Sequence, residues 1–307
     1  QCGVVKGNTV TTLKHFNSTY ELFHFAESTG KQMEEVIADL LTASTEDYQS
    51  LVNEKRILVP LNHPDPYRMW ITGTGLTHLG SAASRDAMHL KISGGQESEL
   101  SDSMKMFKMG VENGKMIDNH PASQPEWFYK GNGLTVVNPG DSIPSPSFAM
   151  DGGEEPEIAG LYIINKDGVP KRLGFALSNE FSDHKMEKVN YLQLAHSKLR
   201  PCSFGPELLI GKLPADIKGR SSIRRNKEVI WEKEFLTGEE NMSHNISNLE
   251  YHHFKYDLFR QPGDVHVHFL GTSLLSFTDN IETKDGDIFS IEADAFEKPL
   301  TNRLKIQ

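Results

Sequence analysis

The sequence predicts an α+β fold that is predominantly β, with a smaller α+β N-terminal part (residues 1–120) and a larger, mostly β part (residues 121–307). Three observations carry this expectation. Apolar residues at helical spacing cluster early, between Leu22 and Leu41. From Pro125 onward, short β-type runs alternate with turn signals. The composition, 37% apolar and 24% charged over 307 residues, is that of a globular chain large enough for one domain or two unequal ones.

Taken in order, Ser18 and Glu21 have capping-box spacing ahead of Leu22, Phe23, Phe25 and Ala26, which predicts a helix. Gly30 interrupts it, and Met33, Val36, Ile37, Leu40 and Leu41 then form a second apolar stripe. Pro64 and Pro66 make a rigid break. The stretch from Trp70 to Gly114 shows little regular period. Strands are expected over Thr135–Val137, Ile158–Ile164, Leu173–Leu177, Val229–Phe235, Val265–Phe269 and Ile288–Glu292, separated by turns such as Lys166-Asp167-Gly168 and Asp285-Gly286-Asp287. One helix, Ile246 to Phe259, interrupts them with Ile246, Leu249, Phe254 and Leu258 on its apolar side.

Charge and patterning exclude several function classes. With 42 acidic against 32 basic residues the formal net charge is −10, which argues against a nucleic-acid partner; Arg224, Arg225 and Lys227 form too short a basic run to change that. The longest clean apolar run, Ile158–Ile164, falls far short of the ~20 residues that span a bilayer, so no membrane is expected. Cys2 and Cys202 are too few for a disulfide framework or a cysteine-rich zinc site. No signal or lipidation motif is visible, and the expected location is the cytoplasm.

Two motifs lead nowhere. Gly73, Gly75 and Gly80 lack the remaining residues of a dinucleotide fingerprint or a phosphate loop, and read as a tight loop near a site. His266 and His268 share one face of a strand without a third ligand, and read as hydrogen-bonded structural residues rather than as a metal site. His252 and His253 read as part of a solvated helix face.

The acidic residues Glu155 and Glu157 alternate at the entrance of a strand that otherwise reads as buried. They are either solvated glutamates at a frayed strand end or two parallel buried carboxylates, which repel unless a proton or cation lies between them. A second apolar strand, from Leu173, ends on Glu180. Three oxygen ligands from adjacent strands suit a hard divalent ion, Mg²⁺, with Mn²⁺ or Ca²⁺ as alternatives.

Glu155-x-Glu157 followed by Gly174-Phe175 and Asn179-Glu180-x-Ser182 resembles the metal signature of the fumarylacetoacetase superfamily. Further segments agree in order: Trp127 to Lys130, Ser197-Lys198, Phe204-Gly205-Pro206, Pro262-Gly263-Asp264 with Gly271-Thr272, and Asp287 to Glu292. The resemblance covers residues 125–305 strongly and Leu76–Met88 more loosely. Gly75–Met88, Gln124–Lys130 and His196–Pro201 are most similar to the branch of 2-keto-3-deoxy-arabonate dehydratases. Glu180 stands where the superfamily usually has Asp, Asp183-His184-Lys185 replaces its Ala-Arg-Asp, and its histidine-based water-activating dyad has no counterpart.

The resemblance implies a mixed β-roll or barrel catalytic domain of the fumarylacetoacetase C-terminal type, a homodimer, and a small 2-keto acid substrate. It implies dehydration of a 2-keto-3-deoxy sugar acid through a metal-stabilised enolate, in oxidative sugar catabolism. Glu155, Glu157 and Glu180 would be the metal ligands, and Glu126 the base at C3, unless it is simply an exposed glutamate beside Trp127. Lys198 would hold the keto oxygen or donate a proton, or else be a surface lysine. Lys130, Arg85 and Thr272 are candidates for binding the substrate's carboxylate or hydroxyls. The same ligands would serve hydrolytic C–C cleavage of a 2,4-diketo acid, and a non-catalytic sugar-acid binding protein is a further alternative.

Overall fold

Ser18 accepts a hydrogen bond from the Glu21 backbone N–H at 3.1 Å, and the helix it caps, Thr19–Thr29, ends on Gly30 in the left-handed conformation. A second helix, Met33–Leu40, follows. Both lie between strands of a three-stranded antiparallel sheet, β1 (Gly3–Lys6), β2 (Thr9–Leu13) and β3 (Leu41–Asp47). Leu13, Leu22, Ala26 and Val36 form the small core of this unit. The structure, a computed structural model, describes residues 1–80 and 101–307.

The main sheet is built from β4 (Met69–Gly75), β5 (Glu126–Asn132), β6 (Val136–Val137), β8 (Pro156–Ile164), β9 (Pro170–Asn179), β10 (Cys202–Phe204), β11 (Leu209–Ile210) and β14 (Val265–Phe269). Its order is β5-β4-β14-β8-β9-β10-β6, with β11 beside β9. β8 and β14 are buried at every position, as strands in the middle of a sheet covered on both faces must be. Ala159, Leu161, Ile163, Val265 and Val267 face one core with Phe23 and Leu61. A five-stranded sheet, β7 (Ser142–Ser145), β12 (Ile217–Arg225), β13 (Glu228–Thr237), β15 (Ile288–Ala293) and β16 (Leu300–Ile306), has order β13-β12-β15-β16-β7. It packs Ile217, Phe235 and Ile291 against Ile158, Phe175 and Leu177. The chain is therefore mostly β, as expected, and among the described residues no helix is long and apolar enough to cross a membrane.

Three local expectations need correction. The irregular stretch Trp70–Gly114 contains β4, a central strand, and the helix Asp102–Asn113. Glycine in β4 is a packing requirement: a Cβ on Gly73 would lie 2.5 Å from the Phe128 ring of β5. β4 pairs with β14 on one side and β5 on the other. The C-terminal helix stops at Phe254, and an extended Tyr256 shifts the register, so Phe259 is buried and Leu258 exposed. His253 is buried rather than solvated.

His253, His266 and His268 form one layer under the main sheet. Trp127 Nε1–H donates to His253 Nδ1 at 3.2 Å, which leaves the His253 proton on Nε2, facing His266 Nδ1 at 3.0 Å. His268 stacks on His253 with ring centroids 4.5 Å apart, and its Nδ1 lies 2.8 Å from Thr72 Oγ1. The rings are hydrogen-bonded structural residues, as read from the sequence, and burial pushes His266 and His268 down to about 3. These folded-state values lie below the ordinary histidine value of ~6.5, so their contribution to stability is whole above that pH and is lost as pH falls through it. Each histidine contributes a slope of about 1.4 kcal/mol per pH unit in that window. Chemical denaturation between pH 6 and 5 is expected to show His268→Gln with a slope shallower than wild type by about that amount.

Candidate functional site

The registers bring several strand ends to one edge of the main sheet. Gly75, the last residue of β4, pairs with Glu126, the first of β5; Phe269, the last of β14, pairs with Ala159 near the start of β8; and Pro156 pairs with Asn179 at the end of β9. Ligand sites favour such strand ends, because the loops that follow can close over them. A cavity lies here, with Glu155, Glu157, Glu180, Glu187 and Lys198 on its polar side. Leu76, Phe128, Leu274 and Leu275 form its apolar wall.

Backbone pairing fixes the carboxylates. Glu180 N–H donates to the Glu155 carbonyl at 3.1 Å, and Glu155 N–H donates to Asn179 Oδ1 at 3.2 Å, so the two glutamates sit side by side. Glu157 Oε2 accepts from Gly271 N–H at 2.8 Å. All three are buried, and one oxygen of each lies within 4.8 Å of the others. Lys198 Nζ donates to Glu155 Oε1 at 2.6 Å, Glu180 Oε2 at 2.7 Å and Ser182 Oγ at 3.2 Å, and lies over the Phe128 ring. It is buried, not a surface lysine.

Three buried carboxylates at this spacing do not all ionise on equal terms. Burial raises the Glu155 pKa, but Lys198 and His184 outweigh it and hold the group well below the usual carboxylate range. Glu157 is pushed well above that range by burial and by the charges of Glu180 and Glu155. Glu180 is pushed up to about 7 by burial and Glu155, against the opposing pull of Lys130 and Lys198. Burial would lower Lys198, yet Glu155, Glu180 and Glu187 raise it above the ordinary lysine value.

The other residues singled out in the sequence are placed as follows. Lys130 is fully buried behind Glu180, donating to Glu180 Oε1 at 2.7 Å, the Phe181 carbonyl at 2.6 Å and the Lys198 carbonyl at 3.1 Å, and it does not line the cavity. Glu126 is buried, not exposed; its Oε2 accepts from Tyr191 Oη–H at 2.5 Å, and it lies outside the cavity lining, opposite Gly75, which lines it. Thr272 lines the cavity, its hydroxyl donating to the Leu274 carbonyl at 3.0 Å. Arg85 lies outside the described residues.

Sequence reasoning missed three groups. His184 Nε2 lies 3.0 Å from Glu155 Oε1; burial opposes its charge, but Asp151 and Glu155 hold its pKa up to about 10. Glu187 reaches the cavity from the short helix His184–Val189, which Asp183 caps while pairing with Arg200 at 2.8 Å. Tyr191 follows in a 3₁₀ turn and meets Glu126. The one available signal was the departure at Asp183-His184-Lys185 from the superfamily pattern.

The donor set fits a divalent cation. It is all oxygen, it converges, and Glu157 is driven towards its protonated form by like charges that a cation would relieve. Among the described residues, Glu155, Glu157 and Glu180 are the group with metal-binding geometry; the histidine layer does not have it.

No protein-family model matches the chain. A probable 2-keto-3-deoxyxylonate dehydratase from Haloferax volcanii is 29% identical over 128 residues, covering 40% of this chain. The match spans 43% of that curated relative, less than half its length. The apo form of a 2-keto-3-deoxy-D-arabinonate dehydratase has a TM-score of 0.68 at 20% identity, over 97% of this chain and 92% of that one. A 2-keto-3-deoxy-D-arabinonate dehydratase complexed with magnesium and 2,5-dioxopentanoate has a TM-score of 0.66 at 20% identity, over 97% of this chain and 92% of that one. The likeness to 2-keto-3-deoxy-arabonate dehydratases read from the sequence is matched by these relatives, and the fold shared with the solved ones extends over nearly the whole chain.

Removing one member of this buried charge cluster has opposite consequences at different positions. Glu157→Gln mimics the protonated carboxyl and is expected to unfold in EDTA within about 1 kcal/mol of wild type; Mg²⁺ is expected to raise the Tm of wild type and not that of the variant. Lys198→Met strands Glu155 and Glu180 and is expected to lose ~3–5 kcal/mol in urea unfolding.

Proposed function

Proceeding from that family likeness, we propose that the chain is a hydro-lyase that removes water from a 2-keto-3-deoxy sugar acid of pentonate size with the aid of a divalent cation. Mg²⁺ is the first choice, with Mn²⁺ and Ca²⁺ as alternatives. The observation that carries this reading is the convergence of three buried carboxylates and Lys198 in one cavity at the sheet edge. The relatives support it: each is named as a dehydratase of this substrate class, and one was solved with magnesium and a dioxo acid.

Glu155, Glu157 and Glu180 would hold the cation. When bound, it supplies positive charge beside the 2-keto acid oxygens, where negative charge develops as the C3 proton leaves. Glu126 takes that proton. Its burial removes competing water, and the Tyr191 hydroxyl fixes the direction in which the carboxyl points. Lys198, an ammonium held in place by two carboxylates, lies where it can stabilise the same developing charge without reorganising. Lys130 holds Glu180 from behind rather than meeting substrate. Thr272 offers a hydroxyl from the loop after β14, and Arg85 is kept as a candidate for the substrate carboxylate on sequence grounds. The pair of C3–H electrons then forms the C3–C4 double bond as the C4 hydroxyl departs, and a proton shift from C5 to C3 turns the resulting 5-hydroxy-3-enoate into the dioxo acid.

Screening L- and D-2-keto-3-deoxypentonates and 2,4-diketo acids with and without Mg²⁺ tests the reading. Formation of a dioxo acid from a pentonate, lost in EDTA, is the expected result. Pyruvate plus a second acid would establish hydrolysis instead, and tight binding without turnover would establish a binding protein. Glu126→Gln is expected to bind substrate yet lose C3 proton exchange in D₂O by about 10²–10⁴-fold, and unchanged exchange would remove Glu126 as the base.

A further inference from the structure

Which acids the cavity admits depends on where its apolar wall stands, and part of that wall belongs to the loop after β14. Thr272, Ser273, Leu274 and Leu275 all line the cavity. The loop is held at both ends by carboxyls from the entrance of β8. At its start, Gly271 N–H donates to Glu157 Oε2 at 2.8 Å. At its far end, Ser276 donates twice to Glu154, its N–H to Oε1 at 3.0 Å and its hydroxyl to Oε2 at 2.8 Å. Between them, the Thr272 hydroxyl accepts from the Leu274 N–H at 3.1 Å and donates to the carbonyl of the same residue, which folds the loop into a tight turn. The Ser273 hydroxyl donates to the Leu236 carbonyl of β13 at 3.3 Å.

Glu154 does not itself line the cavity. Side chains alternate along an extended chain, so where Glu155 and Glu157 turn towards the cation cluster, Glu154 turns to the other side and meets the loop. Glu154 and Ser276 are both buried. A buried carboxyl costs more to keep than an apolar side chain would, and here both of its oxygens go to one residue of the loop. The next residue, Phe277, stacks on His184 with ring centroids 5.3 Å apart, so the 3₁₀ turn Ser276–Asp279 has a second hold on the same side. His184 in turn meets Glu155 at 3.0 Å, and the loop is thereby referred to the same strand entrance that carries the cation ligands.

Resting on the dehydratase reading above, we propose that Glu154 is a positioning residue that determines chain-length specificity. By fixing Ser276 it keeps Leu274 and Leu275 at a set distance from the cation carboxylates, so that the cavity admits a pentonate and turns away a longer acid. Glu154 touches no reacting atom and takes part in no proton transfer.

A wall that yields admits an extra carbon, so discrimination between acids tests the role better than rate does. Wild type, Glu154→Ala and Glu154→Gln are compared, with Mg²⁺, on a 2-keto-3-deoxypentonate and a 2-keto-3-deoxyhexonate of matching configuration, reading kcat/KM for each. Glu154→Ala is expected to shift the pentonate-to-hexonate ratio towards the hexonate by about tenfold. Glu154→Gln keeps an acceptor for the Ser276 N–H and a polar partner for its hydroxyl, and is expected to stay within about twofold of the wild-type ratio. Equal loss on both acids, which damage to the fold alone would give, overturns the role, as does a shift in Glu154→Gln as large as that in Glu154→Ala. If Glu154→Ala does not fold by circular dichroism, Ser276→Ala, which removes one of the two bonds, supplies the same comparison with a shift of about fivefold expected. Hydrogen exchange of the segment 271–279 tests the clasp without substrate: it is expected to be about tenfold faster in Glu154→Ala than in wild type, and equal exchange overturns the clasp. A wild type inert towards both acids overturns the dehydratase reading and the specificity role with it, whereas an active wild type with an unshifted ratio in the variant overturns only the role of Glu154.

Discussion

The arrangement of the site depends on one constraint: three carboxylates buried within 4.8 Å of one another must be compensated. Lys198 answers part of it by bridging Glu155 and Glu180, and Lys130 and His184 support the same two carboxylates from behind. Among the described residues no ion pair joins a cation to Glu157, and burial and like charge drive it towards its neutral form against the more distant pull of Lys198. That leaves one position in the cluster where a divalent ion gains most. The elements around the cluster can be read as the means of holding these cations, since β5 carries Lys130 and the segment after β9 carries His184 and Lys198.

What could be read from the sequence follows from how each group is signalled. Acidic residues at the entrance of an apolar strand contradict the pattern around them, so Glu155 and Glu157 stand out, and the end of the next apolar strand marks Glu180. Their convergence required only that β8 and β9 be neighbours, the commonest arrangement for consecutive strands. β14 was legible because its run is apolar with turns on either side. β4 was not, because the glycines that let it lie against Phe128 look like loop residues when nothing shows what they pack on.

Glu187 and Tyr191 were illegible for a different reason. They lie on a six-residue helix and a three-residue turn, too short to show a hydrophobic period, and they are placed by distant bonds from Asp183 to Arg200 and from Tyr191 to Glu126. The histidine pair at 266 and 268 was read as structural, but its partner His253 looked solvated because it is a polar residue type; at i+7 from Ile246 and i+4 from Leu249 it lies on the buried face of its helix.

The apolar wall of the cavity comes from elements other than those that carry the carboxylates. Leu76 follows β4 in a left-handed conformation, φ +57°, and Leu274 and Leu275 follow β14, whereas Glu157 lies in β8, Glu155 just before it and Glu180 just after β9. Shape and chemistry are thus written on separate parts of the chain. On the dehydratase reading, such a division would let a lineage drift towards acids of other lengths or stereochemistry by exchanging leucines, with the three carboxylates left untouched. It also makes the two loops natural places to begin when redesigning which acid is accepted.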